Sequence, residues 1–501
     1  HKQDEKWRPE MLAETVNEVA KHGVDAHFLQ LAHGQVPWYP SRIYPLEAHH
    51  AWWRERYGVD PTDDAYGVGG VHTYILEGGD PVKVFIEACR KTGQKAFISM
   101  RLNDVHHFAH VNTPGNTRGI HAIGRFYAEH PEYRLGENLK RAPEKTLNWA
   151  IPAVREHIFA FIEEQNELYP LDGFELDFMR FPYFFRQDET TSEQRHAIMR
   201  DFISRVRVVM DRASQGNAPR LLCARMPAHI ACHDALGLDV GAMAEVGVDM
   251  FNLSNSYHTV QSGDVAAVKE KAGDAAVYFE MCHCIDQREP DKKPEPGKAY
   301  DYRIQRKTTP TQFYTTAHLA YSRGADGCSL FNFVYYREHG LGERGPTGEP
   351  PFLVIDHLGD PEWLARQAQH FYISPFGWDP LGQVKPQVPV VIEPGDNAVF
   401  SLEMAPPAGG WREGGRLRMQ ARDDLGDSRW EAELNGTPLA ATQDTSEPYD
   451  NPYPQMLGAP AVHRAWLVPT ALPRDGSNVL ALRYVSGSAP ATVAFLDAAL
   501  R

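Results

Sequence analysis

Glu175 and Asp177 stand two positions apart in the run LDGFELDFMRFP (Leu171 to Pro182), and they are the first residues here whose types and spacing could do chemistry. In a strand, alternation turns Phe174, Leu176 and Phe178 to one face and both carboxylates to the other. Carboxylates inside a barrel are costly unless paired or used. Asp177 lies nearer the C-terminal end of the run, where parallel barrels place their chemistry, and Glu175 is read as a buried partner for an arginine. The same parity in AVYFEM turns Val277 and Phe279 outward and Tyr278 and Glu280 inward, with Glu280 last. A pair of such carboxylates suits glycosidic hydrolysis, in which one group protonates the leaving oxygen while the other attacks or activates water. Asp177 as acid/base and Glu280 as nucleophile is the leading assignment, with the reverse open.

Further polar side chains gather at the ends of the other candidate strands: Arg101, Arg225, Asn252 and Asn332. Asn103, Asp104, His106, His107, Arg180, Asn255, Tyr257, His258, His283 and Tyr335 follow in the adjoining loops. All of these but Asn252, with Trp38 as an aromatic platform, form the expected substrate-binding set. Arg101, Arg180 and Arg225 would suit an anionic sugar, a uronate or a sulfated residue, because guanidinium groups grip oxyanions in a fixed fork. They could equally pair Glu175, Asp177 and Glu280. A second reading makes Asp104, His106, His107, Asp177 and Glu280 ligands of a divalent metal, as in a sugar isomerase or aldolase. A third is a carbohydrate-binding barrel without catalysis. The leading reading assigns no metal and no cofactor.

These residues need a scaffold that brings strand ends together. Strand-like and amphipathic helical segments alternate to about residue 375, the pattern of an α/β (β/α)8 TIM barrel. Candidate strands are Ala26 to Leu31, Lys95 to Arg101, a short one near Tyr133, Gly173 to Phe178, Leu221 to Met226, Asp249 to Ser254, Ala276 to Glu280 and Cys328 to Asn332. Asp177 and Glu280 then end the fourth and seventh. IPAVREHIFAFIEEQNELY spaces Val154, Ile158, Phe161, Ile162 and Leu168 along one helix face, with Pro152 in its first turn. Two long stretches, about 35–79 with Trp38, Tyr39, Trp52, Trp53 and Tyr57, and about 288–309, charged and Pro-rich, are expected as irregular loops over the barrel mouth. After Pro386 the helical period gives way to VPVVI, AVFSLEM, RLRMQAR, WEAELNG, HRAWLVP, SNVLALRYV and ATVAFLDAAL, a β-sandwich. The expected domains are a catalytic barrel over 1–385 and an all-β, jelly-roll-like accessory domain over 386–501.

The string NWAIPAVREHIFAFIEEQNELYPLDGFELDFMRFP resembles the family 10-like glycosyl hydrolases, a TIM-barrel group, through Asp172, Gly173, Asp177, Arg180 and Pro182. The resemblance covers about Leu147 to Pro182 and implies a barrel that acts on or binds carbohydrate. One departure is that Leu176-Asp177 stands where barrel glycosidases using the fourth and seventh strands carry Asn-Glu. The phrases ELNGTPL and DGSNVLALRYV resemble galactose-binding-like modules, which implies either a sugar-binding or a purely structural sandwich.

Composition narrows the partners. A formal charge of -15 across 501 residues repels phosphate backbones and points away from nucleic acid. Hydrophobic content of 42% without a spanning apolar run points away from a membrane. Six cysteines, at positions 89, 223, 232, 282, 284 and 328, read as buried free thiols, and Cys282-His283-Cys284 lacks the second ligand pair of a zinc site. Location is expected to be periplasmic or secreted rather than cytoplasmic.

Overall fold

The computed structural model describes residues 7–33, 35–58, 68–113, 122–216, 218–288, 304–338, 349–375, 382–453 and 458–501. Its main sheet has seven strands: β1 (Ala26–Gln30), β2 (Lys95–Arg101), β3 (Gly173–Asp177), β4 (Leu221–Pro227), β5 (Met250–Ser254), β6 (Ala276–Cys282) and β7 (Gly327–Phe331). They are hydrogen-bonded in chain order, parallel, with helices between them, which is a TIM-barrel-like arrangement. The strand expected near Tyr133 is a single 3-10 turn, Pro131–Tyr133, and β2 pairs directly with β3. Pro131 has no N–H for a ladder, and three residues without apolar alternation cannot bury a strand face. Asp177 therefore ends the third strand of the sheet and Glu280 lies on the sixth.

The chain divides into two compact units, His1–Ser254 with Ala267–Val277, and Asn255–Ala266 with Tyr278–Arg501. In the first, the LDGFELD strand is fixed by its own first residues. Asp172 accepts the Ala96 amide at 2.9 Å, which sets the register of β3 against β2. A Cβ on Gly173 would lie 2.0 Å from the Phe97 ring and 2.6 Å from the Leu221 carbonyl oxygen, so only glycine fits. Helix α1 (Pro152–Leu168) buries Val154, Ile158, Phe161 and Ile162 as its spacing predicts, while Leu168 at its end is only partly buried, and Pro152 sits in the first turn. Glu164 on α1 is buried and accepts from Tyr39 and Ser41 hydroxyls and from the Arg42 and Ile43 amides. Helix α2 (Ser192–Ser214) begins with a reciprocal Thr191–Gln194 capping box.

The stretch expected as an irregular loop over 35–79 contains helices Leu46–Tyr57 and Val68–Leu76, with 59–67 outside the described residues. Tyr39, Trp53 and Tyr57 are buried in it. Leu46, His49, His50, Trp53 and Tyr57 are spaced along one face of a helix, so the aromatics of this stretch are core as much as surface.

In the second unit, β6 is followed by an antiparallel pair, Cys284–Arg288 with Ile304–Lys307, where a loop was expected, and 289–303 lie outside the described residues. Helix α3 (Pro310–Ser322) carries a Thr309–Gln312 capping box. All seven sandwich runs are strands. One sheet orders Gln369–Ile373, Ala491–Leu500, Gly415–Ala421, His463–Val468 and Ala440–Thr442, with Val390–Ile392 also on Ala491–Leu500. The other orders Asn397–Met404, Gly476–Ser486, Arg429–Leu434 and Thr437–Pro438. Alternate residues such as Phe400, Leu402, Trp430, Ala432, Leu480 and Leu482 fill the core between them. Gln369–Ile373, buried at every position, has no alternation by which it could be read as a sandwich strand. None of the six cysteines is in a disulfide, and five of them are buried. Among the described residues no helix is long and apolar enough to cross a membrane.

Candidate active site

Register builds the site in layers. Along β2, β3 and β4, Ser99, Glu175 and Cys223 are partners in one row, and Arg101, Asp177 and Arg225 in the row nearer the strand ends. In the deeper row, Glu175 accepts from the Ser99 hydroxyl at 2.6 Å, the Asn252 amide at 3.3 Å and the Cys223 thiol at 3.4 Å. Ser99 and Cys223 carry no chemical signal of their own in sequence; only the strand register reveals them.

In the outer row, Asp177 is 2% exposed. Arg225 Nη1 donates to its two oxygens at 2.9 and 3.1 Å, the Met179 amide donates to Oδ1 at 2.8 Å, and Arg101 Nε lies 4.0 Å from Oδ2. Arg225 also donates to Ser254 at 3.1 Å. Oδ2 is the less occupied oxygen. Each of these neighbours is a donor, the surroundings of an ionised carboxylate.

Arg101 links this pair to a second group, donating to Asp104 Oδ2 at 3.1 Å. Asp104 Oδ1 takes the His106 amide at 3.0 Å and meets His106 Nδ1, while Arg180 donates to His106 Nε2. A guanidinium has only donors, so His106 Nε2 must accept and the ring proton sits on Nδ1, facing Asp104. Burial pushes the His106 pKa down, and Asp104 offsets this only in part. The chain Asp104–His106–Arg180 is therefore a neutral imidazole held between a carboxylate and a cation.

Asn103 is a clamp: its amide donates to the Leu147 and Tyr183 carbonyls, at 3.0 and 2.7 Å, and accepts the Leu147 amide at 3.0 Å. His107 is exposed with φ +62. Trp38 is half-buried against Val36, Leu46, Val71 and Ile75.

The remaining expected residues belong to the second unit. Glu280 is 3% exposed and in register with Ser329. The Tyr257 ring lies 6.1 Å from Phe331, and Tyr335 stands edge-on to His283 at 5.4 Å. His258 is buried. Asn255 is 1% exposed; its amide nitrogen donates to the Ser262 carbonyl at 3.1 Å, and its Oδ1 has no partner among the described residues. Asn332 Nδ2 is likewise buried without one. Among the described residues, four of the five non-glycine residues with positive φ, His107, Phe181, Ser256 and Asn332, follow the C-terminal ends of β2, β3, β5 and β7. Left-handed backbone costs a non-glycine residue about 1–3 kcal/mol and gathers where function constrains the chain. Among the described residues no three His, Cys, Asp or Glu side chains are grouped to hold a metal ion.

No protein-family model matches this sequence, and no curated protein matches it. Among solved structures it is similar to alpha-L-fucosidase isoenzyme 1 from Paenibacillus thiaminolyticus, at 14% identity and TM-score 0.33, over 96% of this chain and 87% of that one. It is similar to the alpha-amylase of Geobacillus thermoleovorans complexed with acarbose, at 10% identity and TM-score 0.34, over 95% and 92%. It is also similar to a beta-galactosidase from the psychrophilic Marinomonas ef1, at 9% identity and TM-score 0.38, over 72% of this chain and 58% of that one. At such identities and TM-scores no residue role and no activity carries across.

Proposed function

We propose that the protein is a glycoside hydrolase of oligo- or polysaccharides, with Asp177 and Glu280 as its two carboxylates. The observation that carries the reading is the state of Asp177, a buried carboxylate at the C-terminal end of a parallel strand, held by guanidinium and amide donors. Those donors favour an ionised group that attacks the anomeric carbon or activates water, which reverses the roles expected from strand order and gives Glu280 the acid. Asn255 Oδ1 and Asn332 Nδ2, an acceptor and a donor without partners among the described residues, suit sugar hydroxyls, which both donate and accept. The metal-dependent isomerase or aldolase reading is weaker, because Arg101, Arg180 and Arg225 already bring positive charge to Asp104, His106 and Asp177.

The test is turnover on a polysaccharide panel by the wild type, Asp177→Asn and Glu280→Gln. Each variant is expected to lose roughly 10²–10⁴-fold while still binding sugar. Restored turnover of Asp177→Gly by sodium azide identifies Asp177 as the nucleophile if the glycosyl azide has the anomeric configuration opposite to the substrate's, and as the acid/base if the configuration is retained. Full activity in either variant removes that residue from the mechanism. A second reading, a binding barrel without catalysis, is favoured by how fully protein donors occupy Asp177. Calorimetric sugar binding by a wild type that turns nothing over would decide for it.

A further inference from the structure

Lys307, which ends the antiparallel pair after β6, is a buried ammonium with no carboxylate against it among the described residues. It is 3% exposed. Its Nζ donates to Gln305 Oε1 at 2.6 Å and reaches the Tyr335 carbonyl at 3.5 Å, both neutral oxygens. An ammonium has three donors, and the third has no acceptor among the described residues. The titratable groups facing it are the thiols of Cys282 and Cys284, with the Tyr336 ring 5.6 Å away. None of the described carboxylates is among them.

The neighbours are oriented by this one charge. Because Lys307 only donates, Gln305 must turn its carbonyl oxygen to it, and that same oxygen then accepts from His283 Nε2 at 3.1 Å. His283 therefore carries its proton on Nε2, leaving Nδ1 to accept from the Cys282 thiol at 3.1 Å. Lys307, Gln305, His283 and Cys282 form a line of aligned dipoles with the ammonium at one end. A lysine buried for packing alone would cost stability that methionine would not.

We propose that Lys307 anchors an oxyanion-binding site, taking the carboxylate of a uronic acid or a sulfate group. The geometry asks for an anion because the ammonium is desolvated and its acceptors among the described residues are carbonyls. Burial pushes its pKa down to about 8, and an anion bound beside the amine would raise it. Among sugars, the site selects acidic over neutral ones; that part rests on the glycosidase reading, whereas the anion binding does not.

The experiment measures the melting temperature at constant ionic strength with sodium glucuronate, sodium sulfate or glucose, for the wild type and Lys307→Met. Glucuronate or sulfate is expected to raise it in the wild type at pH 7, glucose is not, and Lys307→Met should respond to none. Response to glucuronate alone assigns a sugar carboxylate; equal response to sulfate assigns a general oxyanion site. Affinity should fall roughly thirtyfold by pH 9.5, about 1.5 units above the amine's pKa. Without anion, Lys307→Met should be as stable as the wild type at pH 7 or more so. Equal anion responses in the two proteins, or a wild type without any, would overturn the proposal. If Lys307→Met does not fold, Lys307→Gln and the wild-type pH profile decide on the same criteria. Asp177→Asn and Glu280→Gln keep Lys307 and should bind the anion unchanged, so loss of turnover and loss of anion binding are separate results.

Discussion

At Asp177 charge and chemistry are the same question. Arg225 is as buried as the carboxylate it holds, so Asp177→Asn leaves a guanidinium without its anion. Breaking one side of such a pair typically costs about 3–5 kcal/mol. Asp177→Asn should therefore lower the urea midpoint as well as turnover, while Arg225→Met with Asp177→Asn should recover much of the stability and none of the activity. His106 makes the second prediction at this scale. Its folded pKa lies below the ordinary value of 6.5, so the unfolded chain takes up the proton first. Its contribution to stability is complete above about pH 6.5 and is lost as pH falls through the folded pKa, because protonation places a charge in a buried site and, to a smaller extent, against Arg180. His106→Gln should flatten that acid limb in a pH series of melting temperatures; an unchanged limb would place the acid sensitivity elsewhere.

The elements explain why part of this was legible and part was not. Parity alone separated Glu175 and Asp177 from Phe174, Leu176 and Phe178, because β3 is a regular strand and its period is two. Asp172 and Gly173 carried the family resemblance, and their reasons are physical: one fixes register, the other permits close approach. Gly173→Ala is expected to cost about 3 kcal/mol or more by overpacking, read as a shift of the denaturation midpoint. Phe97→Leu should relieve only part of that, since the Leu221 carbonyl oxygen also stands in the way at 2.6 Å. Full rescue would mean the backbone can move aside. What sequence hid were the partners that only register supplies, Ser99 and Cys223 around Glu175, and the pair Cys284–Arg288 and Ile304–Lys307. The charged, Pro-rich stretch between those two strands masked their pairing, so Lys307 read as a loop residue. The aromatics at 39, 53 and 57 misled for the opposite reason, since a surface platform and a buried helix face have the same composition.

At the scale of the whole molecule, Lys307 couples one buried site to global stability. Its amine titrates near 8 in the folded protein against an ordinary 10.5. Below pH 8 both states hold the proton, and the folded protein bears the full penalty of a desolvated ammonium. Between about pH 8 and 10.5 the unfolded chain binds more protons than the folded one, so stability rises with pH across that window. The gain is about 3 kcal/mol at one pKa unit per roughly 1.4 kcal/mol. The other titratable groups are common to the wild type and Lys307→Met, so the difference between their urea-unfolding curves isolates this amine. The difference should favour Lys307→Met by about 3 kcal/mol at pH 7 and vanish near pH 10.5. Saturating glucuronate or sulfate should close the gap at pH 7 by stabilising the wild type alone. A difference that is flat from pH 7 to 10.5 would show that the ammonium has a partner in the folded protein and that its charge carries no penalty for an anion to relieve.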